Sequence, residues 1–154
     1  MKNMYIIDAC ALIDAAKHYM LNKRTFSSVW EKLEELIRDG VLISSIEVKD
    51  EVKDEDIAEW LLRNSNMFIP LTEEVQKETT KILRDYPTLI KLTSKGNSNA
   101  DPFLLATAIL YNAIIVTNET PAGEKSTVRK IPDVCKALDI DWMNLNKFIS
   151  SICE

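Results

Sequence analysis

Histidine occurs once in this chain of 154 residues, and cysteine and glycine three times each; each scarcity removes a kind of chemistry or architecture. Cys10, Cys135 and Cys153 are an odd number without paired spacing. Neither a zinc knuckle nor a redox CxxC can be built from them, so they read as buried, reduced thiols. With His18 as the lone imidazole, a Cys–His nucleophile pair would need Cys10 or Cys135 to meet it through folding, and His18 reads instead as a surface or rim residue. No apolar run approaches the ~20 residues that cross a bilayer. The N-terminus also lacks the basic start, apolar stretch and small-residue cleavage site of a secretory signal. A cytoplasmic protein without a membrane partner is expected. The net charge of −5 carries no global basic excess of the kind that advertises a nucleic-acid coat. It is compatible with an enzyme that gathers carboxylates around metal ions. No repeat, low-complexity tract or linker interrupts the chain, so one domain over residues 1–154 is expected, long enough to bury a sizeable core.

What is present is an alternation of short apolar runs with amphipathic stretches. Strands are expected at residues 3–7, Val41–Ser44, Met67–Leu71, Ala113–Thr117 and Ile140–Met143. Helices are expected at 11–21, 25–39, about 46–64 in two pieces, 72–86, 102–112, Pro132–Leu138 and Asn144–Ile152. The segment 25–39 shows the helical period most plainly, with Phe26, Val29, Trp30, Leu33, Leu36 and Ile37 stepping by three and four. Gly40 stands where a helix C-terminus favours glycine. Short apolar strands separated by helices argue for a parallel sheet covered on both faces. Ligands of such sheets sit at the carboxyl ends of the strands.

The run Met4–Asp14, MYIIDACALID, poses a physical question: its apolar strand stops at an aspartate, and a carboxylate set against a core costs several kcal/mol unless something compensates it. The parallel-sheet rule places three further acids on the same edge. Glu51 lies early in the helix after the second strand, Asp101 starts the helix 102–112 beside Pro102, and Glu119 follows the strand that ends at Thr117. Each has an ordinary alternative. Asp8 caps the next helix, Asp101-Pro102 forms an N-cap and first-turn pair, and Glu119 is a turn residue. Glu47 has its own role in a capping box, Ser44-Ser45-Ile46-Glu47. Asp50 points about 100° around the helix from Glu51. Taken together, four acids at one edge would repel one another unless a cation bridged them. Oxygen donors of this kind suit Mg2+ or Mn2+. Such ions activate water and steady the charge on a phosphodiester.

The ordered set Asp8, Ile43-Ser44 with Val48-x-x-Glu51-Val52, Asn99-Ala100-Asp101 and Ile115-Val116-Thr117-Asn118-Glu119 resembles the motifs of PIN-domain ribonucleases, whose best-known small members are toxins of the VapC type. The resemblance covers most of the chain. It is nearest to less characterised PIN-like proteins that share Asp101-Pro102-Phe103 and Ile131-Pro132-Asp133-Val134-Cys135. It implies a three-layer α/β/α sandwich on a parallel sheet, and RNA cleavage with Mg2+ or Mn2+. Asp8, Glu51 and Asp101 match the metal-binding acids, Glu119 stands where the family more often has Asp, and Thr117 matches a supporting hydroxyl. Asp133 and Lys125 belong to the site in the nearer relatives. After Asp8 the family usually carries hydroxyl and amide side chains, whereas this chain has Ala9 and Cys10. The partners implied are an RNA substrate, a cognate antitoxin protein and a second copy of the chain.

An acidic protein needs cations beside its cleft to accept RNA. Lys125, Arg129, Lys130 and Lys136, with Lys91 and Lys95, are candidates for a basic rim. The amphipathic helices at 25–39 and 54–64 are candidates for either core or a dimer interface. Two other functions fit less of the pattern. Ala9, Cys10 and Glu119 suit a catalytically weakened PIN-fold module that works by binding an antitoxin or regulator. A phosphoacceptor domain would need paired acids after the first strand, where only Asp8 stands.

Overall fold

The computed structural model describes residues 3–87, 100–122 and 130–153. Five strands form one sheet: β1 (Tyr5–Ile7), β2 (Leu42–Ser45), β3 (Phe68–Ile69), β4 (Ile114–Val116) and β5 (Trp142–Met143). Every pairing is parallel, and the order is β3-β2-β1-β4-β5. Among the described residues eight helices flank the sheet: α1 (Ala9–His18), α2 (Ser27–Arg38), α3 (Ile46–Glu51), α4 (Glu55–Arg63), α5 (Glu73–Asp85), α6 (Asp101–Tyr111), α7 (Ile131–Leu138) and α8 (Leu145–Ile152). None of them is long and apolar enough to cross a membrane.

Local chemistry explains the boundaries. Helix α2 ends on Gly40 at φ 71°, with Val41 N–H donating to Leu36 O and Gly40 N–H to Ile37 O, the paired bonds that close a helix through a left-handed residue. Strand β3 is shorter than the apolar run 67–71 implies, because Pro70 has no N–H to continue the ladder. Helix α1 starts two residues earlier than the apolar spacing suggests, since Asp8 caps it. The polar loop expected at Thr93–Asn99 lies outside the described residues.

The core resolves the choice left open for α2 and α4. Trp30, Leu33 and Ile37 of α2 and Ile57, Trp60 and Leu61 of α4 are all buried. The two tryptophans meet edge to face, with centroids 5.0 Å apart and planes at 71°. Trp60 Nε1 also donates to Glu34 Oε2 at 3.1 Å. Both apolar stripes are therefore core.

Strand order decides where a ligand fits. The chain builds outward from β1 through β2 to β3, then returns to the other side of β1 for β4 and β5. The order reverses between β1 and β4, and the crevice beyond the carboxyl ends at such a reversal is the usual ligand position. Asp8 follows β1 there, and Thr117 follows β4.

Candidate functional site

Asp8 is 4% exposed, and the structure gives it the capping role together with a hydrogen bond from the end of β4. Its Oδ1 accepts the Ala11 N–H at 2.8 Å, capping α1. Its Oδ2 accepts the Thr117 hydroxyl from the end of β4. That hydroxyl in turn accepts the Glu119 N–H at 3.1 Å. Thr117 thus takes the place expected of the supporting hydroxyl beside Asp8. Burial raises the Asp8 pKa from 3.8 to about 7; the hydrogen bonds from Thr117 and Ala11 oppose the rise, and the charges of Glu119 and Asp14 add to it.

Glu51 sits at the end of α3, and its Oε1 accepts the Ala100 N–H at 2.9 Å. Ala100 is the N-cap of α6, while Asp101 and Pro102 are its first two residues. The capping role expected for Asp101 therefore belongs elsewhere: a carboxylate from α3 satisfies the amide at the start of α6. Glu119 makes the analogous bond on the far side. Its Oε2 accepts the Ile131 N–H at the start of α7 at 3.1 Å, so it is more than a turn residue. Helix N-termini favour negative charge through their exposed N–H groups and dipole, which holds both carboxylates facing the crevice edge.

Asp8, Glu51, Asp101 and Glu119 line one open cavity of about 640 Å3. Glu47 and Asp50 line it as well, bringing six carboxylates to its wall, and Lys53 is the cation among its described lining residues. Neither Glu47 nor Asp50 was expected there. The capping box proposed for Glu47 does not form, because Ser45 is the N-cap of α3 and the Ser44 hydroxyl donates across the sheet to Ile7 O at 2.5 Å. Burial, with the charge of Asp50, instead raises the Glu47 pKa. The available signal was the i, i+3, i+4 spacing of Glu47, Asp50 and Glu51, which puts all three on neighbouring positions of one helix surface. Among the described residues, no three His, Cys, Asp or Glu side chains converge closely enough to hold a metal ion. The acids share a cavity wall, with Glu51 and Glu119 each bonded to a backbone amide.

Other expected residues fall as follows. Asp133 does not line the cavity; it accepts the Lys130 N–H at 2.9 Å and the Ala122 N–H at 3.0 Å, tying the segment after β4 to α7. Asn118 locks the same region from the other side, donating to Asp14 Oδ2 at 2.6 Å and accepting the Leu145 N–H at 2.9 Å. Lys91, Lys95, Lys125, Arg129 and Asn99 lie outside the described residues. Cys10 lines the cavity, and burial followed by the charge of Asp8 pushes its pKa up to about 12, so it stays a thiol. His18 is exposed at the end of α1 and lines no part of the cavity, which removes the Cys–His pair. All three cysteines are free, but only Cys135 is fully buried, while Cys153 is exposed.

Comparison with known proteins adds a family and a fold. A family model described as "Domain of unknown function (DUF4411)" matches residues 5–152. No curated protein matches the chain. Among solved structures, the chain is similar to one from the crystal structure of VapBC2 from Rickettsia felis bound to a DNA fragment from their promoter. The TM-score is 0.52 and the identity 16%, over 92% of this chain and 98% of that one. At that identity the likeness is one of fold, and it shows the PIN-like α/β/α architecture that the motif order implied.

Proposed function

Since the chain belongs to the DUF4411 family, a domain of unknown function, its activity has to come from its site, and we propose a Mg2+- or Mn2+-dependent endoribonuclease. The reaction is hydrolysis of an RNA phosphodiester. The observation that carries it is that Asp8, Glu51, Asp101 and Glu119, from four distant parts of the chain, all line one cavity at the reversal of strand order. An all-oxygen, acidic donor set fits hard divalent cations and not zinc. Burial first, with the charges of Glu119 and Asp14 adding to it, raises the Asp8 pKa, and a neighbouring cation would favour the charged form again.

In this reading Asp8, Glu51, Asp101 and Glu119 would hold the ion by drawing in from the cavity wall, since no three of them converge on one point among the described residues. The chemistry such an ion would supply there is neutralisation of phosphate charge and activation of water. Thr117, donating to Asp8 Oδ2, fixes the rotamer of that carboxylate and favours its charged form. Lys53 on the cavity wall meets a phosphate oxygen. Glu51 and Glu119 each have one oxygen fixed by a backbone amide at the start of a helix, which sets their direction at the cavity wall. The chain is placed in the cytoplasm as a single domain over residues 1–154. By its likeness to the VapBC2 structure, it is the toxin of a toxin–antitoxin pair, with an antitoxin protein as partner and a second copy of itself as a further one.

The test is RNA cleavage in Mg2+, Mn2+ and EDTA, with Asp8→Asn and Asp101→Asn beside the unchanged protein. Cleavage that requires the ion and is lost in both variants supports the reading. A second reading, a binding module with a weakened site, is favoured by the spread of the acids and by the backbone bonds of Glu51 and Glu119. Absence of cleavage at every ion concentration, with retained antitoxin binding, would establish that module instead.

A further inference from the structure

Beside the carboxylate cavity lies a second one, of about 410 Å3, lined by residues of the segment after β4 and by Trp142, Asn144 and Asn146 around β5 and α8. Glu119 lines both cavities, so a chain lying across the first would place its neighbouring unit in the second. The chemistry of the two walls differs. The second offers one aromatic face and several side-chain amides. Its volume lies within the ~300–1,000 Å3 of small-molecule sites.

Trp142 is the unusual member. The chain has three tryptophans; Trp30 and Trp60 are 3% and 1% exposed, whereas Trp142 is 38% exposed at the sheet edge. An indole left half in water beside a polar cavity is suited to cover a flat, partly apolar partner. The amides around it are oriented by their oxygens. Asn144 Oδ1 accepts the Lys147 N–H at 2.8 Å, and Asn146 Oδ1 accepts the Tyr19 hydroxyl at 3.1 Å. The amide nitrogens of both asparagines have no partner among the described residues, which leaves N–H donors next to the indole.

We propose that this second cavity is a nucleobase subsite: Trp142 stacks on an unpaired base of single-stranded RNA flanking the scissile phosphate, and Asn144 and Asn146 donate to its edge. The inference rests on the ribonuclease reading for what lies next door, and it assigns the neighbouring base a place against Trp142. Bases stacked inside a duplex cannot reach the indole, whereas an unpaired base can be splayed onto an aromatic side chain. Among the described residues that line it, Glu119 is the one charged side chain, so base recognition there is separate from the ion-dependent phosphate contact.

The buried state of Trp30 and Trp60 makes tryptophan fluorescence a reporter of Trp142. The protein is titrated with a single-stranded oligoribonucleotide, with the duplex of the same sequence, and with free nucleosides, all with Ca2+ as the divalent ion. The expected result is saturable quenching by the single strand and, at higher concentration, by nucleosides. The duplex should give none, and Trp142→Leu should abolish the signal and weaken single-strand binding about 5- to 150-fold, the loss typical of one stacked base. Trp142→Phe should restore part of the binding, which a merely structural role of the indole would not require. Equal quenching by the duplex, or unchanged binding by a folded Trp142→Leu protein, overturns the proposal. The two readings fail separately. Cleavage lost in Asp8→Asn without any quenching sinks the base site alone, and nucleoside quenching without ion-dependent cleavage sinks the nuclease alone.

Discussion

Replacing Asp8 with Asn should stabilise the metal-free protein at neutral pH while destroying its function. The buried carboxyl has its pKa raised from 3.8 to about 7, so the folded state holds its proton where the unfolded chain releases it. A raised pKa contributes stability that is fully present below pH 3.8, and the contribution is lost as pH climbs towards 7. Each tenfold change in proton affinity is worth about 1.4 kcal/mol, so the loss over that window comes to about 4 kcal/mol. Asn is isosteric, keeps an oxygen for the Ala11 N–H that caps α1, and presents an –NH2 to the Thr117 hydroxyl, which can turn to accept. The assay is urea or thermal unfolding in EDTA at several pH values, for both proteins. Near pH 4 the two should unfold alike. At pH 8 the variant should be ahead by up to about 4 kcal/mol, equivalent to roughly 8–16 °C in a chain of this size. Excess Mg2+ should narrow the gap by stabilising the unchanged protein alone. Parallel stability curves for the two proteins across this pH range would refute the claim that burial strains this carboxylate.

Other consequences concern the neighbours of Asp8. Thr117→Val removes the hydroxyl donated to Asp8 Oδ2, so the Asp8 pKa should rise further, and the acid limb of the pH–cleavage profile should move to higher pH. Glu51→Gln keeps an oxygen for the Ala100 N–H and should leave stability nearly unchanged while lowering Mg2+ affinity measured by calorimetry. Glu51→Ala strips that amide of its acceptor and should cost about 1 kcal/mol in chemical unfolding as well. With six carboxylates on the cavity wall and a net charge of −5, oligoribonucleotide binding in EDTA should fall at least tenfold below that in Ca2+, as read by fluorescence anisotropy.

The elements were legible because their signals are local. The alternation of apolar runs around Ile6, Ile43, Phe68, Ile115 and Met143 with the 3.6-residue stripes of α2 and α4 reflects side-chain burial within one strand or one helix. The parallel sheet follows from the lengths between runs. Placement of Asp8, Glu51, Asp101 and Glu119 at one edge also needed only that topology. Glu47 was hidden by the fit of Ser44-Ser45-Ile46-Glu47 to a capping box, and Asp50 by its position about 100° around the helix from Glu51. Which serine caps α3 depends on the Ser44 hydroxyl turning to Ile7 O, a contact across 37 residues of chain that no local pattern encodes.

Order and type of the secondary elements, and the presence of acids at the carboxyl ends of the strands, were properties of the amino-acid string itself, since hydrophobic period and strand polarity act over a few residues. Only the packed structure decided how those acids are engaged: Glu51 on the amide of Ala100, Glu119 on that of Ile131, and Asp8 on a hydroxyl 109 positions away. It also left one indole of three exposed beside the acidic cavity. Hydrogen bonding and burial depend on which distant segments become neighbours, and that is fixed by the core as a whole.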